Sequence, residues 1–185
     1  VVLTEVGYLA GQRYQVGYQA VDTDMDPAAV APLDEGSVVL VTGGARGITA
    51  RAALEIGLRT HCRLVLVGRS PYPEPEDPGH AAARDLAALR AHIIKEGKLK
   101  EPRAIEAACR RILADREVRA TFEACTAFGI PFEYHSLDVR DKEQLTALID
   151  DLYRRYGHID AVVHGAGIIE DKLMLEKSRD SFDRV

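Results

Sequence analysis

The sequence of 185 residues lacks several features that would assign it to a common class of protein. It has no apolar run of about 18 residues, so nothing in it predicts a membrane-spanning helix. The net charge of −5 argues against a nucleic-acid-binding protein, which would carry a basic face. We therefore expect neither a membrane nor a nucleic acid among its partners.

Cysteine is scarce, and its spacing excludes the usual disulfide and metal patterns. Cys62, Cys109 and Cys125 are odd in number and form no CxxC pair. We interpret them as reduced core thiols of a cytoplasmic protein. The histidines also lack HxH or HxxxH spacing, so we expect no metal site. The histidines considered are His61, His80, His92, His135 and His158.

The two ends of the sequence suggest a piece of a larger protein. The chain begins at Val1 without a methionine, and no signal or transit segment follows. Residues 178–185 read as a helix that has barely begun. We expect the partners to include the remainder of the same domain.

One short stretch organises the rest of the chain. Val38–Thr42 is a run of β-formers typical of a strand buried on both faces, and a glycine cluster follows it directly. Residues 50–58 then read as a helix. A strand, a tight glycine turn and a helix aim backbone N–H groups and a helix N-terminus at a phosphate.

Three later stretches repeat the strand pattern and predict the fold class. They are residues 63–68, 132–137 and 159–164. Because helical patterns separate them, we predict an α/β fold with a doubly wound, Rossmann-type parallel sheet. Counted from the strand at Val38, the expected strand order is 3-2-1-4. Asp141 and Gln144 resemble a capping box at the start of the last crossover helix.

The connection between the second and third strands is too long for an ordinary loop. Its proline-rich start, residues 71–78, excludes a helix or central strand. Helical patterns follow at residues 80–95 and 103–128. We interpret residues 71–128 as a helical insertion.

The first 36 residues do not fit the alternating strand–helix pattern. Residues 1–8 and 13–21 read as two strands, and in the second the alternation of Tyr14, Val16, Tyr18 and Ala20 predicts one buried face. Residues 22–36 are acidic and read as a linker or surface loop. We therefore divide the chain into residues 1–36, the end strands of a preceding subdomain plus a linker, and residues 37–185, half of a nucleotide-binding domain.

Several separated motifs resemble the short-chain dehydrogenase/reductase family. Thr42-Gly43 with Gly47-Ile48 matches the glycine motif, Asp138-Val139 matches the Asp-Val pair, and Gly165-Ala166-Gly167 matches the turn after the fourth strand. His164 before that turn, Gly68-Arg69-Ser70, residues 178–185 and the insertion are similar to ketoreductase domains of polyketide and polyunsaturated-fatty-acid synthases. In such a domain His164 is structural, at the end of a buried strand.

The resemblance implies a bound nicotinamide cofactor, for which we expect NADPH. Arg69 stands where NAD-preferring folds place an acid, so its guanidinium would pair with the 2′-phosphate, and Arg46 could add a second contact. Asp138 and the Val139 amide would contact the adenine. The residues assigned to cofactor binding are Gly43, Gly44, Arg46, Gly47, Ile48, Arg69, Ser70, Asp138, Val139, Gly165, Ala166 and Gly167.

One residue departs from the family pattern, and the catalytic residues are missing. Thr49 stands where the family has glycine, so it could crowd the cofactor or donate its hydroxyl to a phosphate. No Tyr-x-x-x-Lys or Tyr-x-x-x-Asn pattern occurs, so we assign no catalytic residue to this chain. The cofactor-binding half alone should not turn over.

The expected function is that of the parent domain: NADPH-dependent reduction of a β-ketoacyl group to a β-hydroxyacyl group, as part of a multifunctional polyketide or fatty acid synthase. The partners would be an acyl carrier protein and the neighbouring synthase domains. Two alternatives stay open. One is a redox-silent nucleotide-binding module in which Thr49 blocks a productive pose, and the other is a free-standing sugar-nucleotide epimerase or reductase.

Overall fold

A computed structural model describes residues 6–15, 17, 33–171 and 173–185. The chain forms two compact units, which divide between Pro32 and Leu33. This division falls slightly before the boundary expected after Gly36. Among the described residues, no helix combines the length and the hydrophobicity needed to cross a bilayer.

The N-terminal unit contains an antiparallel hairpin of two short strands. β1 (Val6–Leu9) pairs with β2 (Gln12–Gln15) across a turn at Ala10 and Gly11, both of which have positive φ. The predicted buried face is not seen at Tyr14, whose side chain is exposed within this two-stranded sheet. Val16, Tyr18 and Ala20 lie outside the described residues, as do residues 1–5.

The second unit contains a four-stranded parallel sheet with helices on both faces, as predicted. Its strands are β3 (Val38–Thr42), β4 (Arg63–Gly68), β5 (Phe132–Ser136) and β6 (Ala161–His164). The order across the sheet is β5-β4-β3-β6. This is the arrangement expected as 3-2-1-4, in which the strands were counted from Val38. The two strands of the N-terminal hairpin raise each number by two.

The helices follow the predicted pattern with shifted bounds. They are α1 (Gly47–Thr60), α2 (Pro78–Ala82), α3 (Leu86–Glu96), α4 (Pro102–Ala127), α5 (Lys142–Tyr156) and α6 (Arg179–Arg184), with a 3-10 turn at Met174–Glu176. The single helix expected over residues 80–95 is two helices, because Asp85 caps a new one by accepting a hydrogen bond from the Ala88 amide at 2.8 Å.

Alternating residues of the central strands point to two different cores. On one face, Val39, Val41, Leu64 and Leu66 pack with residues of α1 and α4. On the other face, strand residues between them pack against α5. The buried residues of the second core are Val38, Leu40, Val65, Val67, Leu137, Leu148 and Leu152. The sheet is therefore covered on both sides.

Two features place α1 and α5 against this sheet. The buried face of α1 consists of Ala50, Ala53 and Gly57, and a Cβ on Gly57 would lie 2.6 Å from the Cγ2 of Ile130. At the start of α5, Asp141 accepts a hydrogen bond from the Gln144 amide at 3.0 Å, as the capping box predicted. The Gln144 side chain bonds back to the Asp141 carboxylate rather than to its amide.

The long connection between β4 and β5 belongs partly to the main core. Val118, Phe122 and Cys125 of α4 are buried in the same cluster as the central strands, so the second half of α4 is the crossover helix. Arg116 interrupts the apolar stripe of α4 because it binds Glu76 at 2.7 Å, which holds the proline-rich segment against the helix. This ion pair lowers the pKa of Glu76.

Candidate functional site

A cleft of about 830 Å³ opens along the carboxyl ends of the parallel strands. Ligands bind at this edge in open α/β sheets because the strand-to-helix turns and helix N-termini converge there. The turns that follow β3, β4, β5 and β6 all contribute to its walls, and residues of α4 and the C-terminal residues Arg184 and Val185 complete them. The sheet order therefore brings separated motifs of the sequence into one site.

Most of the residues predicted to bind the cofactor line this cleft. They are Gly43, Arg46, Gly47, Arg69, Ser70, Asp138, Val139, Gly165, Ala166 and Gly167. Gly44 and Ile48 do not line it. Gly44 packs on the strand instead, since a Cβ there would lie 2.6 Å from the Cγ1 of Val41, and the Ile48 side chain is 85% exposed.

The N-terminus of α1 faces the cleft without a side-chain cap. Arg46 occupies the N-cap position and makes no capping hydrogen bond, and the first turn has no acidic residue. The amides of Gly47, Ile48 and Thr49 have no acceptor among the described residues. Uncapped N–H groups at a helix N-terminus favour an anion, and a phosphate would satisfy them.

The glycine turn after β3 and the turn after β6 touch each other. A Cβ on Gly43, which has a φ of +71°, would lie 2.8 Å from the carbonyl carbon of Gly165. A Cβ on Gly165 would lie 2.2 Å from the Oγ1 of Thr49. The Thr49 side chain therefore covers Gly165, and neither glycine has room for a side chain.

Thr42 holds the turn after β6 with three contacts. Its carbonyl accepts a hydrogen bond from the Gly165 amide at 2.9 Å, and its Oγ1 accepts one from the Ala166 amide at 3.3 Å. The same hydroxyl lies 2.7 Å from the Nδ1 of His164. His164 is exposed and lines the cleft, so the expectation that it ends a buried strand is wrong.

Arg46 and Arg69 supply positive charge on the cleft wall. Both are exposed, and neither forms an ion pair with another residue that the structure describes. Arg69 follows β4 directly, and its charge adds to the larger effect of the Arg140 hydrogen bonds in lowering the pKa of Asp138. Two free guanidinium groups beside an uncapped helix N-terminus make this part of the cleft suited to more than one phosphate group.

Asp138 is already engaged by a neighbour that the sequence motif did not single out. The Arg140 guanidinium donates to the Asp138 carboxylate at 2.7 Å, and the Arg140 amide donates to it at 3.0 Å. These hydrogen bonds lower the pKa of Asp138 to about 2. Asp138 is therefore ionised at neutral pH, and Arg140 shares its oxygens.

Further residues of the cleft were missed because they come from outside the motifs. Tyr134 of β5 donates a hydrogen bond to the Ser70 carbonyl at 2.6 Å, and a Cβ on Gly68 would lie 2.8 Å from its hydroxyl oxygen. Burial raises the pKa of Tyr134. Glu117 and Val118 of α4 form part of the wall. Tyr134 is the third of the five residues of β5, and no sequence motif signalled its role.

Comparison with known protein families gives one clear match. The model of the KR domain matches residues 37–185, which is most of the chain. A polyunsaturated fatty acid synthase polypeptide of Thraustochytrium sp. is 30% identical over 164 residues, covering 83% of this chain and 6% of that protein. The polyketide synthase PksL of Bacillus subtilis is 26% identical over 183 residues, covering 98% of this chain and 3% of that protein.

Solved structures agree on the fold. A ketoreductase domain from the bacillaene assembly line superposes with a TM-score of 0.57 at 24% identity, covering 96% of this chain and 32% of that one. An N-terminal ketoreductase from the macrolactin assembly line superposes with a TM-score of 0.54 at 19% identity, covering 94% of this chain and 25% of that one. The chain thus spans a small part of the curated relatives it matches, and it has the Rossmann-type fold of short-chain dehydrogenases.

We expect Gly165→Ala to destabilise the second unit by roughly 1–3 kcal/mol, because the new methyl group overlaps the Thr49 side chain. The measurement is urea unfolding followed by circular dichroism. Combining the change with Thr49→Ala should recover part of the loss, since the atoms nearest the new methyl group are then gone. Gly167→Ala is the matched control, because nothing lies within 4 Å of its Cβ position. Equal losses for the two glycine variants would contradict the packing described.

We expect Arg140→Ala to return the pKa of Asp138 from about 2 towards the ordinary value of about 3.9. A lowered native pKa contributes stability that is present above the unfolded value and is lost as the pH falls through the native value. The wild type should therefore lose this contribution between about pH 4 and pH 2. The variant should lose a smaller one, because the amide of residue 140 still donates to Asp138. Carboxyl NMR titration measures the pKa directly, with Arg59→Ala as control. An unchanged Asp138 titration in Arg140→Ala would contradict the assignment.

Proposed function

The chain belongs to the KR domain family, and from this membership we propose that it supplies the cofactor-binding half of an NADPH-dependent ketoreductase domain. The parent domain would reduce a β-ketoacyl group, held on an acyl carrier protein, to a β-hydroxyacyl group. Its setting would be a multifunctional polyketide or polyunsaturated-fatty-acid synthase in the cytoplasm, with neighbouring synthase domains as partners. Membership of a family of nicotinamide-dependent oxidoreductases supports the reaction class.

The observation that carries the proposal is the uncapped N-terminus of α1 at the cleft. Among the described helices, α2, α3, α5 and α6 each begin with a side-chain cap, from Asp77, Asp85, Asp141 and Ser178. α1 instead leaves its first amides open, and Gly43 and Gly47 contribute no side chain to the turn before them. A cofactor pyrophosphate fits this position, because it supplies both the acceptors and the negative charge.

The charge beside this turn favours NADPH over NADH. Arg69 follows the second strand of the parallel unit, where an acid would bind the ribose hydroxyls of NAD. It forms no ion pair or hydrogen bond with a carboxylate among the described residues, so its guanidinium is available for a 2′-phosphate. Arg46 would add a second contact from the turn itself, and the Ser70 segment is fixed by its bond to Tyr134.

The adenine would lie beside the turn after β5. The Val139 amide has no acceptor among the described residues, so it can donate to the ring. Asp138 can accept from the exocyclic amino group only by sharing an oxygen with Arg140. Arg140 thus orients the carboxylate for this contact.

The division of chemistry follows from what the chain contains. When bound, the nicotinamide supplies the hydride, and the protein supplies orientation and a proton. The residues of this chain bind and orient the cofactor. The proton donor of the family, a tyrosine with a serine partner, has no matching motif here, so we assign catalysis to the remainder of the domain and expect the chain alone to be inactive.

We expect fluorescence titration to show that the chain binds NADPH more tightly than NADH. Arg69→Ala should weaken NADPH binding by roughly 10- to 100-fold, since a charge-assisted hydrogen bond contributes about 1.5–3 kcal/mol. It should leave NADH binding within about twofold, because NADH has no 2′-phosphate. Arg59→Ala, an exposed arginine paired with Glu55, is the matched control. Equal affinities for the two cofactors, or an equal loss of both in Arg69→Ala, would overturn the role of Arg69.

The complete domain of the parent tests the reaction. With NADPH and a β-ketoacyl thioester it should consume the cofactor and form the β-hydroxyacyl product, whereas the 185-residue chain should bind NADPH without consuming it. Cofactor binding by the complete domain without any reduction would support the redox-silent module instead. Reduction or epimerisation of a sugar nucleotide in place of the thioester would support the other alternative.

A further inference from the structure

A cluster of metal-ligand side chains lies in the connection between β4 and α4. His80 is on α2, and His92 and Glu96 are one turn apart on α3. Their ligand atoms all lie within 4.8 Å of one another. The expectation of no metal site considered histidine spacing alone, and it could not detect this cluster because the two histidines are on different helices.

The distances in the cluster are close to those of an occupied site. The Oε1 of Glu96 lies 3.6 Å from the Nε2 of His80 and 3.5 Å from the Nε2 of His92. In a tetrahedral zinc site with bonds of about 2.1 Å, neighbouring ligand atoms are about 3.4 Å apart. Small side-chain movements would therefore complete the coordination.

One polar atom of the cluster also lacks a hydrogen-bond partner. The Nε2 of His80 is buried and has no hydrogen-bond partner in the part of the chain that the structure describes. The centroids of the His80 and His92 rings lie 5.4 Å apart in an edge-to-face arrangement. A buried polar atom without a partner costs free energy, and a metal ion would remove that cost.

The backbone beneath His92 leaves room for this arrangement. A Cβ on Gly79 would lie 2.8 Å from the Nε2 of His92, so a side chain at position 79 would displace the imidazole. The Lys98 ammonium is 3.6 Å from the other oxygen of Glu96, but the side chain is 77% exposed and can turn towards solvent. The carboxylate therefore keeps an oxygen for a metal.

We propose that His80, His92 and Glu96 bind a zinc ion, with water in the fourth position. Two imidazoles and one carboxylate suit zinc and related first-row metals better than magnesium or calcium, which prefer oxygen ligands. The ion would join α2 to α3. This is a structural role, because α2 has only five residues and none of them is buried.

The test uses the chain without a histidine tag, stripped of metal and dialysed against zinc. We expect one zinc per chain by elemental analysis. His80→Ala, His92→Ala and Glu96→Gln should each raise the Kd at least roughly 100-fold, since losing even an outer partner of a ligand costs 10- to 100-fold. The matched controls are His158→Ala and Glu101→Gln, which change a histidine and an exposed glutamate outside the cluster and should bind zinc normally.

Cobalt substitution gives a second measurement that needs no variant. A bound Co²⁺ with nitrogen and oxygen ligands should give visible absorption without the near-ultraviolet band that thiolate ligands produce. A thiolate band would assign the metal to the cysteines and overturn the proposal. So would the absence of stoichiometric zinc in the wild type, or wild-type affinity in folded variants of the three ligands.

Discussion

The cleft depends on the close approach of two backbone turns. Gly43 and Gly165 lie so near each other that a side chain on the first would enter the peptide of the second, and Thr49 covers the second from above. Thr42 bonds both following amides of the turn after β6. Because β3 and β6 are adjacent in the sheet, these contacts hold the turn after β3 against the turn after β6, although the two turns are far apart in sequence.

Beside these turns, the N-terminus of α1 has no side-chain cap. An uncapped helix N-terminus costs free energy because its first N–H groups lack acceptors. Four of the other described helices have an aspartate or serine cap, whereas α4 has no cap and begins with a proline. The N-cap residue of α1 is Arg46, whose side chain makes no capping hydrogen bond. The helix instead gains its stability from tight packing of Ala50, Ala53 and Gly57 on the sheet. The protein thus separates the part of α1 that packs from the part that faces a ligand.

The strands and the cleft edge could be predicted because their signals are local. Runs such as Val38–Thr42 are apolar on both faces only where helices cover both sides, and parallel strands bring their following turns to one edge. Contacts between distant residues left no such signal. In the sequence, Arg116 only interrupts the apolar stripe of α4, because its partner Glu76 lies in the separate proline-rich segment. The sequence likewise could not show which way the Thr49 side chain points, because its contact is with Gly165, which is distant in sequence.

The position of α4 links two regions that look separate in the sequence. Val118 is at once a residue of the cleft wall and a member of the core beneath the sheet, and the same helix holds the proline-rich segment through Arg116 and Arg119. A molecule that contacts this part of the cleft wall should therefore favour conformations in which α4 is docked. Amide hydrogens of α4 should exchange more slowly when the cleft is filled, and substitutions at its partners can alter affinity without touching the ligand. The long connection is thermodynamically part of the binding site.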